Sequence, residues 1–272
     1  MKSRYSDVQK ISLSAFLLIL ATLATVIAKM SGIPFLRFCQ ITFAPAVIMF
    51  ASLSMGPLYG AIVGGGSDLL GFLLYPTGTL NPFYTILAIL WGVLPWLLLM
   101  VTKKWRSALR FPWMVYATLA IIMGLLIYGF FGTGYFSQRF ETTFGESALA
   151  AKIVFLCIQL AMDIGLCIGL SFTNKYFQKS ILDYPDIPSP NEVALIVTIC
   201  ELVIGVLGNA SALMFYFYVI VDTGTALSFA AILLFLLAMS SINILVNSAL
   251  LSWLLIFSRR FGVTSRNNGG EQ

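Results

Sequence analysis

Polar side chains are scarce in this 272-residue chain, so those embedded among apolar residues are the ones whose chemistry needs an explanation. Arg37 follows the apolar stretch Ile33–Leu36. Asp68 stands alone between two charge-free runs, Phe38–Ser67 and Leu69–Thr102. Tyr75, Thr77, Thr79 and Asn81 crowd a short break in the apolar sequence, and Tyr84, Thr85 and Trp91 follow it. Further along come Asn209, Asn243 and two isolated carboxylates, Asp163 and Glu201. A guanidinium fork pairs with a carboxylate, a carboxylate accepts hydrogen bonds from ring nitrogens, and aromatic rings stack on flat ligands. Each residue also has a purely structural reading. Asp68 is either a ligand contact or a packed carboxyl held by Ser67 or a neighbouring helix. Arg37 fits a headgroup anchor as well as a pocket, and Tyr84 and Trp91 fit an interfacial aromatic belt. Asn209 and Asn243 fit interhelical hydrogen bonding. Asp163 and Glu201 are read as structural or unassigned.

Several chemistries are excluded. The chain has no histidine, which removes histidine metal sites and serine–histidine triads. Its four cysteines (Cys39, Cys157, Cys167 and Cys200) show no CxxC spacing and read as small packing residues. There is no GxxxxGK[ST] loop, so work driven by ATP must come from partners. No DxxD-like metal cluster lies within the apolar runs either. An enzyme is therefore not expected, and neither is a resident cofactor or metal.

The elements that position these residues are transmembrane helices. Hydrophobic residues make up 59% of the chain and charged residues 10%, with a mean hydropathy of +0.93. A soluble domain carries about a quarter of its residues as charged. The first ten residues resemble the basic start of a signal peptide. The apolar run Ile11–Ala28 is too long for a signal core and lacks a small-residue cleavage pattern, so it is the first span. Eight helices are predicted: Ile11–Met30, Ile41–Met55, Pro57–Tyr75, Pro82–Thr102, Phe111–Phe131, Ala150–Thr173, Val193–Phe215 and Leu227–Ser258. The second is the shortest, and Gly56-Pro57 breaks it from the third. A proline-rich connector, Tyr184–Glu192, precedes the last pair.

Charge orients the bundle. With eight spans, one side holds Lys2, Arg4, Lys10, Lys103, Lys104, Arg106, Arg110, Lys175, Lys179, Arg259, Arg260 and Arg266. The other holds Lys29, Arg37, Arg139 and Lys152. The positive-inside rule makes the first side cytoplasmic, with both termini there. The net charge of +5 reads as topology, not as nucleic-acid binding. In this orientation most of the membrane's polar residues gather in the outer half, as around a cavity open to the outside. Asp68 lies seven residues below Tyr75, roughly 10 Å by helical rise.

Small residues make a second pattern. Gly60-xxx-Gly64, continued by Gly65, Gly66 and Ser67, gives the third span a flat face that another helix can approach closely, or else loosens it. This face is the expected docking surface for a partner.

These residues resemble a known family. Ile33–Arg37, a short span, then GPLYGAIVGGGSDLLGFLLYPTG (Gly56–Gly78) with Pro82 and Thr85 resemble the substrate-binding S components of energy-coupling factor transporters, the folate group above all. Asn209 and the NSALLSWLL ending within Val193–Phe261 are similar to that family's last two helices. The resemblance covers residues 30–92 and 193–261 and is absent from 103–180. It implies a six-helix bundle with a vitamin pocket facing outward in the plasma membrane. It also implies a complex with a transmembrane scaffold subunit and two ATPases. The family's substrate loops carry onto Arg37 and onto Tyr75, Pro76, Thr77, Gly78 and Asn81. Three features depart from the family pattern. Phe83 stands where the folate group has glycine. The nearest AxxxA patch, Ala24-xxx-Ala28, sits close to the outer end of its helix. The fifth and sixth spans form an extra hairpin, dividing the chain into 1–102, an inserted 103–180, and 181–272. A self-contained, proton-coupled secondary transporter is the competing expectation, since Asp68, Asp163 and Glu201 could carry protons. No internal repeat supports it.

Overall fold

In the computed structural model, residues 6–31, 42–76, 80–104, 113–132, 137, 141, 145–183, 188–215 and 229–267 are described. They form eight helical rods and, among the described residues, no strand. These are α1 (Asp7–Ser31), α2 (Ala44–Met55), α3 (Pro57–Leu74), α4 (Pro82–Lys104), α5 (Trp113–Phe131), α6 (Ala148–Asp183), α7 (Pro190–Phe215) and α8 (Phe229–Asn267). Seven are long and apolar enough to cross a membrane. The chain is an all-α, multi-pass membrane protein, as its composition requires.

The eighth rod is the short one. α2 has 12 residues, and about 18 Å of helix falls short of a hydrocarbon core of about 30 Å. Nearly every residue of it is buried, so α2 runs through the protein rather than along the lipid. It ends at Gly56, whose φ of 109° suits glycine and lets Pro57 open α3 at once. Proline likewise opens α4 (Pro82) and α7 (Pro190), where a missing N–H costs nothing. At α7 the Ser189 hydroxyl accepts from the Glu192 N–H and the Glu192 carboxylate accepts from the Ser189 N–H, a reciprocal cap.

The core has two parts. Residues of α1–α4 pack with Val193, Ile196, Val197, Cys200, Ile204, Leu251 and Leu255 of the last two helices. A second cluster joins α5 and α6 to the opposite sides of α7 and α8. Tyr116 pairs with Ser171 at 3.3 Å, and the Phe130 and Phe155 rings meet at a tilt with centroids 5.2 Å apart, so α5 and α6 run antiparallel.

The glycines of α3 lie inside this bundle. A Cβ on Gly60 would meet the carbonyl of Gly92 and the backbone of Ser52; one on Gly64 would meet the Ala88 carbonyl and Ile48. The Gly60–Gly64 face is therefore filled by the chain's own α4 and α2. The expectation that it docks a scaffold subunit is corrected: close helix approach does occur there, but the partner is internal. Ala28 of the Ala24-xxx-Ala28 patch is buried too.

Candidate functional site

The glycine seam sets the register of α3 against α4, and two turns along it the seam brings Asp68 opposite Thr85. The Thr85 hydroxyl donates to Asp68 Oδ2 at 2.7 Å. α1 runs parallel to α3, with Leu18 against Gly66 and Thr25 against Gly71. One more turn along, that alignment brings Lys29 within electrostatic reach of Asp68. Three helices thus converge on one half-buried carboxylate. Thr85 occupies one of its oxygens, and no other hydrogen bond reaches it among the described residues. Ser67 does not hold Asp68, because its hydroxyl donates to the Gly64 carbonyl at 2.9 Å.

The remaining expected residues divide. Tyr84 is half-buried one position before Thr85, while Tyr75 and Pro76 are exposed at the same end of the bundle. Arg37, Thr77 and Gly78 lie outside the described residues. Asn81 is buried and held through both of its polar atoms: its Nδ2 donates to the Ala212 carbonyl at 3.1 Å, and its Oδ1 accepts from the Phe83 N–H at 3.0 Å. It caps α4 and ties it to α7. Phe83, the residue at the departure from the family pattern, packs against Phe215 at 4.4 Å in the same joint. Trp91 is 8% exposed within the core of α1–α4, away from any interfacial belt.

Asn209 has a backbone role. Residues Glu201–Gly208 of α7 form a π-helical segment. At its end the Asn209 N–H reaches the carbonyls of Ile204 and Val206 and passes over that of Gly205. The Asn209 side chain donates there instead, Nδ2 to Gly205 O at 2.9 Å. A carbonyl left bare in a bilayer costs several kcal/mol, roughly, so this bond stabilises the wide turn.

Two polar groups deep in the bundle were not assigned a role by sequence. Glu201, buried on α7, accepts from Asn243 Nδ2 at 3.0 Å. Gln159 on α6 donates to Ser241 at 2.7 Å and to Asp163 at 3.3 Å, tying α6 to α8. The signal available was the intramembrane carboxylate itself; its partners come from other helices. A cavity of about 350 Å³ lies apart from all of these, between the end of α5 and the start of α6. There Lys152 bonds Glu141 at 2.7 Å and Ser137 at 2.9 Å. Those bonds, from Lys152 first and Ser137 next, hold the Glu141 carboxyl below the usual carboxylate range. Comparisons with protein-family models, curated proteins and solved structures find no match for the chain.

Proposed function

We propose that this chain is the solute-capture subunit of an ATP-driven vitamin importer in a bacterial plasma membrane. A folate-like compound is the first candidate solute. The observation that carries the reading is the Asp68 carboxylate, held by Thr85 from α4 and faced by Lys29 from α1, with one oxygen left for a ligand. It lies at the end of the bundle from which the Tyr75–Asn81 loop emerges, the loop that the family resemblance assigns to substrate. A flat heteroaromatic ring would donate to Asp68 and stack on Tyr84. The ligand's carboxylates would pair with Lys29 and Arg37. Both termini face the cytoplasm on this reading, and a scaffold with two ATPases supplies the power stroke by way of a surface other than the Gly60–Gly64 face.

The test is calorimetric titration of the purified chain with folic acid, with other vitamins as comparison ligands. Asp68→Asn should weaken binding roughly tenfold or more, the cost of a charge-assisted hydrogen bond. A well-folded chain that binds no member of the panel refutes capture. A second reading, proton-coupled transport by the chain alone, draws on Asp163 and Glu201, two carboxylates buried in membrane-crossing helices. Concentrative uptake into liposomes holding this chain and no partner would replace the first reading with the second.

A further inference from the structure

The geometry points to a site for a dehydrated alkali-metal cation in the bilayer core, formed by Glu201 on α7 with Asn243 and Asn247 on α8. Glu201 is 4% exposed near the middle of its 26-residue span. No lysine or arginine pairs with it among the described residues. Its carboxylate takes one hydrogen bond, from Asn243 Nδ2. A buried charge without a counter-charge is costly in the membrane.

The neighbouring amides are incomplete in a complementary way. Asn243 Oδ1 is buried without a hydrogen-bond partner, and so are both Nδ2 and Oδ1 of Asn247. Asn247 is 0% exposed. It follows Asn243 by four residues, so the two share a face of α8 about 6 Å apart along the axis. Helical Cα–Cβ bonds tilt toward the N-terminus, which leans Asn247 back toward the Asn243 turn. Buried amides without partners are rare and call for an explanation. A cation supplies one for the two amide oxygens and the carboxylate, because hard cations take oxygen ligands from carboxylates and amides alike; it leaves only Asn247 Nδ2 without a partner. The single carboxylate neutralises one monovalent ion, whereas a divalent ion would leave a net positive charge in the bilayer.

The wide turn of α7 builds the acceptor. The Glu201 carboxyl lies against Gly205, where an added Cβ would come within 2.7 Å of its carboxyl carbon and of Oε1. Glycine at 205 leaves the carboxylate this space, so the π-helical segment and the bond from Asn243 on α8 together set its position.

The experiment is thermal unfolding of the purified chain in nanodiscs, in sodium, potassium or choline chloride at constant ionic strength and with no organic solute present. Sodium or potassium should raise the melting temperature saturably over choline, the stronger of the two identifying the ion. Glu201→Gln keeps the side chain's shape and its bond to Asn243, and should weaken the apparent cation affinity at least ~10-fold. Gly205→Ala should do the same without altering any charge. Asn247→Leu should abolish the cation response while melting in choline at or above the wild-type temperature, because it removes an orphaned amide. Equal melting of a folded wild type in all three salts would overturn the site. A cation shift that survives in Glu201→Gln would overturn it as well. With no organic solute in the assay, failure here leaves the capture reading standing, and failure of capture leaves this site standing.

Discussion

Gly60 on α3 and Gly92 on α4 stand backbone to backbone: a Cβ on Gly60 would run into the Gly92 carbonyl, and one on Gly92 into the carbonyl of Gly60. Neither position has a flexible side chain to move aside. Because this contact fixes how α3 and α4 slide past each other, it also fixes the meeting of Asp68 and Thr85 along the same seam.

Substitution in the seam should therefore damage the fold and the site together. Gly92→Ala is expected to cost about 1–3 kcal/mol of stability, the range for overpacking, and Gly60→Leu more. Melting temperature and ligand affinity should fall in parallel. Normal melting with uptake alone lost would return the Gly60 face to the role of an external docking surface.

Asp68 and Thr85 should be coupled energetically. In a double-mutant cycle of Asp68→Asn and Thr85→Val, read by ligand titration, residues in direct contact show coupling of about 0.5–3 kcal/mol. Additive losses would mean that the 2.7 Å bond does not bear on ligand binding.

Asn209 should behave as a backbone support. Asn209→Leu removes the side-chain bond to the Gly205 carbonyl, and the expected cost is about 0.5–1.5 kcal/mol in thermal unfolding. Solute affinity of the folded fraction should be unchanged. A large loss of affinity with normal melting would put Asn209 back among the ligand contacts.

The orientation is testable at Ser147, which lies exposed at the α5–α6 end. In a background with the native cysteines replaced, Ser147→Cys should react with a membrane-impermeant maleimide in intact cells. Reaction only after lysis would invert the topology. The replacement is needed because Cys157 is itself exposed on α6.

Much of the fold was legible because a bilayer makes hydropathy decisive. All eight helices were predicted, with prolines 57 and 82 at predicted starts; Pro190, read as part of the connector, opens α7 three residues before the predicted Val193. Helix length was less legible. α6 continues to Asp183 and α8 to Asn267, past the apolar residues, because a helix can go on in water after its membrane-crossing part has ended. The site was legible as a set of residues and not as a set of pairs. Gly60-xxx-Gly64 announces that some helix comes close, but nothing in the pattern says which one, and the partner proved to be α4. The tie from Asn81 to Ala212 spans 131 residues and depends on the α4–α7 joint. The role of Asn209 depends on a π-helical turn for which ELVIGVLG carries no recognisable sequence signature.

The shortness and burial of α2 bear on how the chain is made. Twelve residues, ten of them apolar, make about 18 Å of helix, less than the ~20 residues that mark a complete span, so the segment has little capacity to enter the lipid on its own during synthesis. Gly56 joins it directly to α3, and the two would enter as a helical hairpin with α3 providing the hydrophobic drive. Until α4 and α8 arrive, α1 and α3 cover only part of its surface. The central rod of the finished protein is thus among the first parts synthesised and among the last to be fully enclosed.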